Sequence, residues 1–306
     1  MGDLAVMYHY VRQRDGWSGI SPLLPEDFEK QIEVISRTHE IVSVDDLNRP
    51  SNKPRCVLTF DDGTKDQYEI AYPILKKKGV PAYFTVMSGP IVTGRMPVFH
   101  LVHTVLSLKS DLEIWQLLSE KYVTDEVHEK SKIYHYEKDT YRRYNKYVLN
   151  FLLSDFDARN FLEGVLASLS IDPSDLIPTF YLNKDEIREM VGNGMTIGVH
   201  CHNHTPYTGD GRKFFNEEID PCIRFLKEVV GIVPQWYTPS FGGGIHKDSM
   251  KKDLEPILRE NGFKGGFTTE PGLNDGMSQF WLKRVDCIYL PPNKNQDLEE
   301  ALKAII

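Results

Sequence analysis

Two adjacent carboxylates, Asp61 and Asp62, followed by Gly63, close the apolar run Val57-Leu58-Thr59-Phe60. Side chains alternate between faces along a strand, so consecutive acids on a regular strand cannot serve one site. A strand that stops at Phe60, with Gly63 turning the backbone sharply, lets both carboxylates face one pocket. Acids side by side repel each other unless a cation lies near them, so the pair asks for a metal. Partners stand later in the chain, where His200 and His204 follow the apolar run Thr196–Val199. Two imidazoles four residues apart share one side of a helical turn. Two His with one carboxylate is a common set for catalytic zinc, with a position left open for water. His202, between the two ligands, is expected to point away into structure or solvent.

The elements that must position these residues alternate. Strands are expected at Leu4–Tyr8, Glu40–Ser43, Val57–Phe60, Ala82–Val86, Met195–Val199, Gln235–Tyr237, Lys264–Phe267 and Arg284–Tyr289. Between them the spacing predicts helices over Pro25–Arg37, Asp66–Lys78 (stopped by Gly79), Phe215–Val230 and Ser249–Asn261, and a last helix from about Gln296. Alternating strand and helix implies a parallel sheet with crossover helices, here an α/β barrel of about seven strands. The chemistry-bearing residues fall at strand C-terminal ends, where barrel active sites sit. Residues 95–181 break this rhythm with helix-like stretches such as Leu112–Glu120 and Ala158–Leu169. They read as a helical insertion over one rim, leaving 1–94 and 182–306 to form the barrel. Within the insertion, Tyr134, Tyr141 and Tyr144 recur at helical spacing, which predicts packing; the sharper alternative is a lid holding phosphates with Arg142, Arg143 and Lys146.

Composition narrows the partners. A net charge of −8 over 306 residues lacks the basic footprint of a nucleic-acid binder. No apolar run approaches the roughly 20 residues that span a bilayer. The N-terminus has no basic region and enters a strand-like segment at once, so a cytoplasmic location without a signal peptide is expected. Cys56, Cys201, Cys222 and Cys287 form no Cys-x-x-Cys pair and suit a reduced compartment.

Thr59-Phe60-Asp61-Asp62-Gly63 followed by His200-x-x-x-His204 resembles the first two motifs of the polysaccharide deacetylases, the NodB-homology group of carbohydrate esterase family 4. The resemblance covers Leu4–Val86 and about Tyr181–Asp286. It implies that Asp61 is the general base and that Asp62, His200 and His204 hold one divalent ion, expected to be zinc. The family's third motif, Arg-x-Pro-Tyr-Gly, is replaced here by Trp236-Tyr237-Thr238-Pro239-Ser240-Phe241-Gly242-Gly243-Gly244, with Arg absent and one residue inserted between Pro239 and Gly242. Phe241 can take the aromatic place, and Tyr237 and Phe241 are the expected substrate-binding residues. Arg284 is the substitute for the lost Arg, oriented toward Asp61.

The family's C-terminal strand ending in His is also missing, whereas Val6-Met7-Tyr8-His9 is an apolar strand ending in His near the N-terminus. That start, followed by Phe28-x-x-Gln31, resembles the circularly permuted poly-N-acetylglucosamine deacetylase branch and implies His9 as general acid, with His246 as the next candidate. The expected activity is metal-dependent N-deacetylation of an amino sugar, free or nucleotide-, lipid- or glycan-linked. The alternatives are a deformylase acting on a formamido sugar, a catalytically inactive carbohydrate-binding barrel, and a binuclear phosphoesterase, which would need more ligands than one Asp and two His.

Overall fold

A computed structural model of the chain describes residues 2–14, 16–122, 125–134, 137–274, 278–294 and 297–305. Among them are strands β1 (Leu4–Tyr8), β2 (Glu40–Ile41), β3 (Arg55–Phe60), β4 (Tyr83–Met87), β5 (Thr196–Cys201), β6 (Trp236–Tyr237), β7 (Gly265–Gly266) and β8 (Val285–Asp286). Seven follow one another in the order β7-β6-β5-β4-β3-β1-β8, every pair parallel, while β2 pairs with the start of β3. They curl into a half-barrel of the α/β class. The segment leading into β8 also reaches the far end of the sheet: the Leu282 amide donates to the Gly266 carbonyl (2.8 Å) and the Arg284 amide to the Glu270 carbonyl (3.0 Å).

Strand alternation divides the side chains into two layers. Leu4, Val6 and Tyr8 of β1, Leu58 and Phe60 of β3, Phe84 and Val86 of β4 and Ile197 and Val199 of β5 pack with Phe28, Ile32 and Ile35 of the helix Pro25–Thr38. Ala5, Val57, Tyr83, Trp236 and Phe267 form a smaller cluster on the opposite, inner face. The helix-side layer culminates in a stack at the strand ends, Tyr8 on Phe60 (5.0 Å) and Phe60 on Phe84 (4.5 Å), with Phe28 edge-on to Tyr8 (5.1 Å). By the same alternation Thr59 and Asp61 project inward.

The local signals behave as their chemistry dictates. Pro25 opens the first helix with Glu26 and Asp27 in its first turn, at the positive end of the helix dipole. Helix Tyr72–Lys78 stops at Gly79, which adopts φ +65°. Four strands are shorter than expected: β6 and β7 keep only Trp236–Tyr237 and Gly265–Gly266. β2 ends at Ile41, and the segment predicted as a strand over Arg284–Tyr289 leaves the sheet after Asp286. There the Asp286 carboxylate accepts the Ile288 amide (3.0 Å) and folds Cys287–Tyr289 into a tight turn. The expected start of the last helix, Gln296, lies outside the described residues; the helix runs Leu298–Ile305.

The chain forms two compact units, one of Met1–Gln13, Pro22–Gly94 and Pro178–Ile306, the other of Arg14–Ser21 and Arg95–Ile177. The second unit is helical, with Val98–Leu108, Asp111–Tyr122, Thr140–Tyr147 and Asp155–Ser168 as its longer or best-capped segments. Arg142 is spent on its interior: the guanidinium donates to Asp111 (2.5 Å) and to the carbonyls of Ser18 (2.7 Å) and Leu106 (3.3 Å). Lys146 pairs with Glu137, and Tyr144 packs on Trp115. Arg142 and Lys146 therefore hold the unit together, which corrects the idea of a phosphate-binding trio there.

Candidate metal centre and its carboxylate

β3 delivers Asp61 to the inner face, and the backbone then leaves strand geometry at once. Asp62 adopts φ +76° and Gly63 φ +64°. A left-handed conformation is uncommon for a residue with a side chain, and here it swings the second carboxylate out of strand alternation to the same side as the first. The turn thus begins at Asp62 itself, one residue earlier than Gly63 alone would place it.

β5 and the loop after it supply the imidazoles. Val199 belongs to the helix-side layer, so His200 points inward, and its Nδ1 donates to the Thr238 carbonyl just past β6 (2.8 Å). That bond fixes the tautomer and leaves Nε2 as a bare lone pair. His200 Nε2 lies 3.2 Å from Asp62 Oδ1, and His204 Nε2 lies 3.6 Å from the same oxygen. His200 sits in a strand and His204 in the loop beyond it, so the helical turn expected to align the pair is absent. The loop brings His204 back with φ +61°. One ligand atom each from Asp62, His200 and His204 lies within 4.8 Å of the others.

These residues fit a metal. A carboxylate oxygen and an imidazole lone pair are both acceptors and repel across 3.2 Å unless a cation or proton lies between them. His200 Nε2 is buried without a well-formed hydrogen bond. Burial pushes the His200 imidazole toward the neutral form, but Asp62, with Asp61 behind it, outweighs that and leaves its pKa raised. The site attracts positive charge.

Asp61 is held differently. Arg284, buried at 1% exposure, grips it through both nitrogens, Nη1 to Oδ1 and Nη2 to Oδ2, each at 2.8 Å. The guanidinium is itself braced by the Thr268 carbonyl (2.9 Å) and the Thr59 hydroxyl (3.1 Å). Burial alone would push the Asp61 carboxyl up; the Arg284 charge and hydrogen bonds overcome this and hold it below the usual carboxylate range. His9 approaches from β1, its Nε2 3.9 Å from Asp61 Oδ2, with 41% of its side chain exposed.

The aromatic pair divides. The Phe241 ring stands edge-on to His204 at 4.4 Å and is 52% exposed, at the start of a loop in which Phe241, Gly242, Gly243 and Gly244 all have positive φ. Tyr237, in contrast, is fully buried in the helix-side layer. Its expected contact with substrate is corrected by strand alternation: Trp236 and Thr238 take the inward positions of β6, so Tyr237 faces the helices. His202 points away from the ligand set and meets the Ser88 hydroxyl (2.8 Å).

One residue of this region was missed. Glu218, 2% exposed, accepts the backbone amides of His202 (3.2 Å), Asn203 (2.9 Å) and His204 (3.1 Å) on a single oxygen. The available signal was an acid in core phase: Phe215, Ile219 and Cys222 are buried on the same helical face.

Comparison with known proteins gives one family and several solved structures of similar fold. The family model described as polysaccharide deacetylase matches residues 48–265. No curated protein matches the sequence. Among solved structures, the Streptococcus pyogenes deacetylase PplD in complex with acetate is similar at TM-score 0.58 and 16% identity, covering 100% of this chain and 99% of that one. IcaB from Ammonifex degensii is similar at 0.55 and 18%, covering 93% and 91%. A de-N-acetylase from Aggregatibacter actinomycetemcomitans is similar at 0.53 and 14%, covering 99% of each chain.

Proposed function

This chain belongs to the polysaccharide deacetylase family, and from that premise we propose that it removes an N-acetyl group from an amino sugar of a glycan or glycan precursor. The observation that carries the reading is the junction of two carboxylates in different states: Asp62 facing two imidazoles, and Asp61 clamped by Arg284. Asp62, His200 and His204 would hold one divalent ion, by ligand type zinc. Such an ion, when bound, lowers the pKa of water and polarises an acyl oxygen.

The remaining chemistry belongs to the chain's own side chains. Asp61, kept ionised by Arg284, accepts the proton released as water adds to the amide carbonyl. Two short bonds to a fixed guanidinium hold the carboxylate in one orientation, so little reorganisation accompanies proton transfer. His9, beside Asp61 yet partly exposed, is the group that can protonate the departing amine on the solvent side. Phe241 offers an apolar edge next to His204 against which a sugar ring or the acetyl methyl can rest. The acetate in the PplD complex supports the choice of acyl group.

Acetate release from N-acetylated oligosaccharides and from nucleotide- and lipid-linked N-acetyl sugars tests the reading directly. Asp62→Ala, His200→Ala and His204→Ala should lose both ion and activity. Asp61→Asn should keep the ion yet lose at least about a hundredfold in turnover, the scale for removing a general base. Release of formate and not acetate, or full metal content in His204→Ala, would sink it.

A further inference from the structure

Two features of the loop after β5 need explaining. His204 holds φ +61°, a conformation that is unfavourable for a residue with a side chain unless its surroundings compensate. Glu218 is a carboxylate at 2% exposure, and a buried anion is expensive unless it is fully hydrogen-bonded. Each feature answers the other. Three successive amides, of His202, Asn203 and His204, converge on Glu218 Oε2 at 3.2, 2.9 and 3.1 Å. Successive N–H groups that point to one side form a concave anion cradle, and the chain's own carboxylate fills it.

We propose that Glu218 is the positioning residue of the candidate metal centre: by gathering these three amides it fixes the left-handed backbone at His204 and so aims the imidazole at Asp62 and His200. The inference rests on the metal-site reading above. Glu218 reaches the loop from the turn Phe215–Ile219, whose neighbours Phe214, Phe215, Ile219 and Cys222 are buried beside the sheet. The carboxylate is therefore anchored to rigid packing, while the loop it holds carries no regular structure between Cys201 and Gly211. Without it the three amides lose their common acceptor, and the loop relaxes toward ordinary backbone with the His204 imidazole displaced. A ligand displaced in this way weakens metal binding without touching any ligand atom.

Zinc affinity by competition with a chromophoric chelator tests this, with amide hydrogen exchange of the metal-free protein beside it. Glu218→Ala should weaken zinc binding by about 10- to 100-fold, the usual scale for losing a group that orients a metal ligand. Exchange at His202, Asn203 and His204 should accelerate while the barrel strands stay protected. Glu218→Gln, which keeps shape and one acceptor oxygen but not the charge, should fall between Ala and wild type, and decides the matter if the alanine variant does not fold. The exposed neighbour change Glu217→Ala should alter neither readout. Wild-type zinc affinity in folded Glu218→Ala or Glu218→Gln overturns the proposal, as does unchanged exchange at the three amides. If the wild type itself binds no zinc, the metal reading fails on its own, and the exchange measurement still decides whether Glu218 holds the loop.

Discussion

Three buried carboxylates that follow closely on β3, Asp61, Asp62 and Asp66, are handled in three ways. Asp61 receives a bidentate guanidinium and Asp62 a pair of imidazoles. Asp66 receives the Val11 amide (2.7 Å), and burial pushes its pKa up to about 6. The last has a consequence for stability. Because the folded pKa lies above the ordinary 3.8, the unfolded chain releases this proton first as pH rises. The stabilising contribution is complete below about pH 4 and is lost between about 4 and 6, by roughly 3 kcal/mol. Urea unfolding of wild type and Asp66→Asn at pH 4.5 and 7 isolates it, since Asn still accepts the Val11 amide but carries no charge. The wild type should lose stability relative to the variant between these pH values; parallel curves would mean that Asp66 titrates normally.

At the scale of elements, strand alternation decides which residues meet. It was legible in the sequence wherever a strand was continuous: β1, β3 and β5 sent His9, Asp61 and His200 inward from their C-terminal ends, and Arg284 reached Asp61 across the sheet. It was misjudged at Tyr237, because β6 is two residues long and its phase is set by neighbours Trp236 and Thr238 and not by a run of alternating residues. The ligand loop was less legible still. Spacing suggested a helical turn from His200 to His204, whereas the loop is shaped by residues distant in sequence, Glu218 on one side and Ser88-Gly89 on the other. The Gly89 amide donates to the His202 carbonyl (2.9 Å), and a Cβ on Gly89 would fall 2.2 Å from that oxygen, well inside contact distance. Gly89→Ala should therefore push the loop from the side opposite Glu218 and weaken zinc binding by about tenfold. Calorimetric titration giving wild-type affinity would mean that the loop shifts without moving His204.

The whole molecule sets the terms on which a bound ion is felt. Asp62, His200 and His204 all belong to the unit built of Met1–Gln13, Pro22–Gly94 and Pro178–Ile306, yet they come from segments separated by more than a hundred residues of sequence. An ion held by all three joins the end of β3 to the end of β5 and to the loop beyond, and no such arrangement survives in an unfolded chain. Binding to the folded state alone stabilises by RT ln(1 + [L]/Kd), about 2.7 kcal/mol when zinc is at a hundredfold excess over its dissociation constant. For domains of about this size that corresponds to roughly 5–10 °C in Tm. Scanning calorimetry with zinc against chelator should show a rise of this order in wild type and in Asp61→Asn, and none in His204→Ala. If the helical unit of Arg14–Ser21 and Arg95–Ile177 unfolds as its own transition, that transition should stay in place while the other moves, because all three candidate ligands lie in the strand-bearing unit. A zinc-dependent shift that persists in His204→Ala would place the ion elsewhere in the chain.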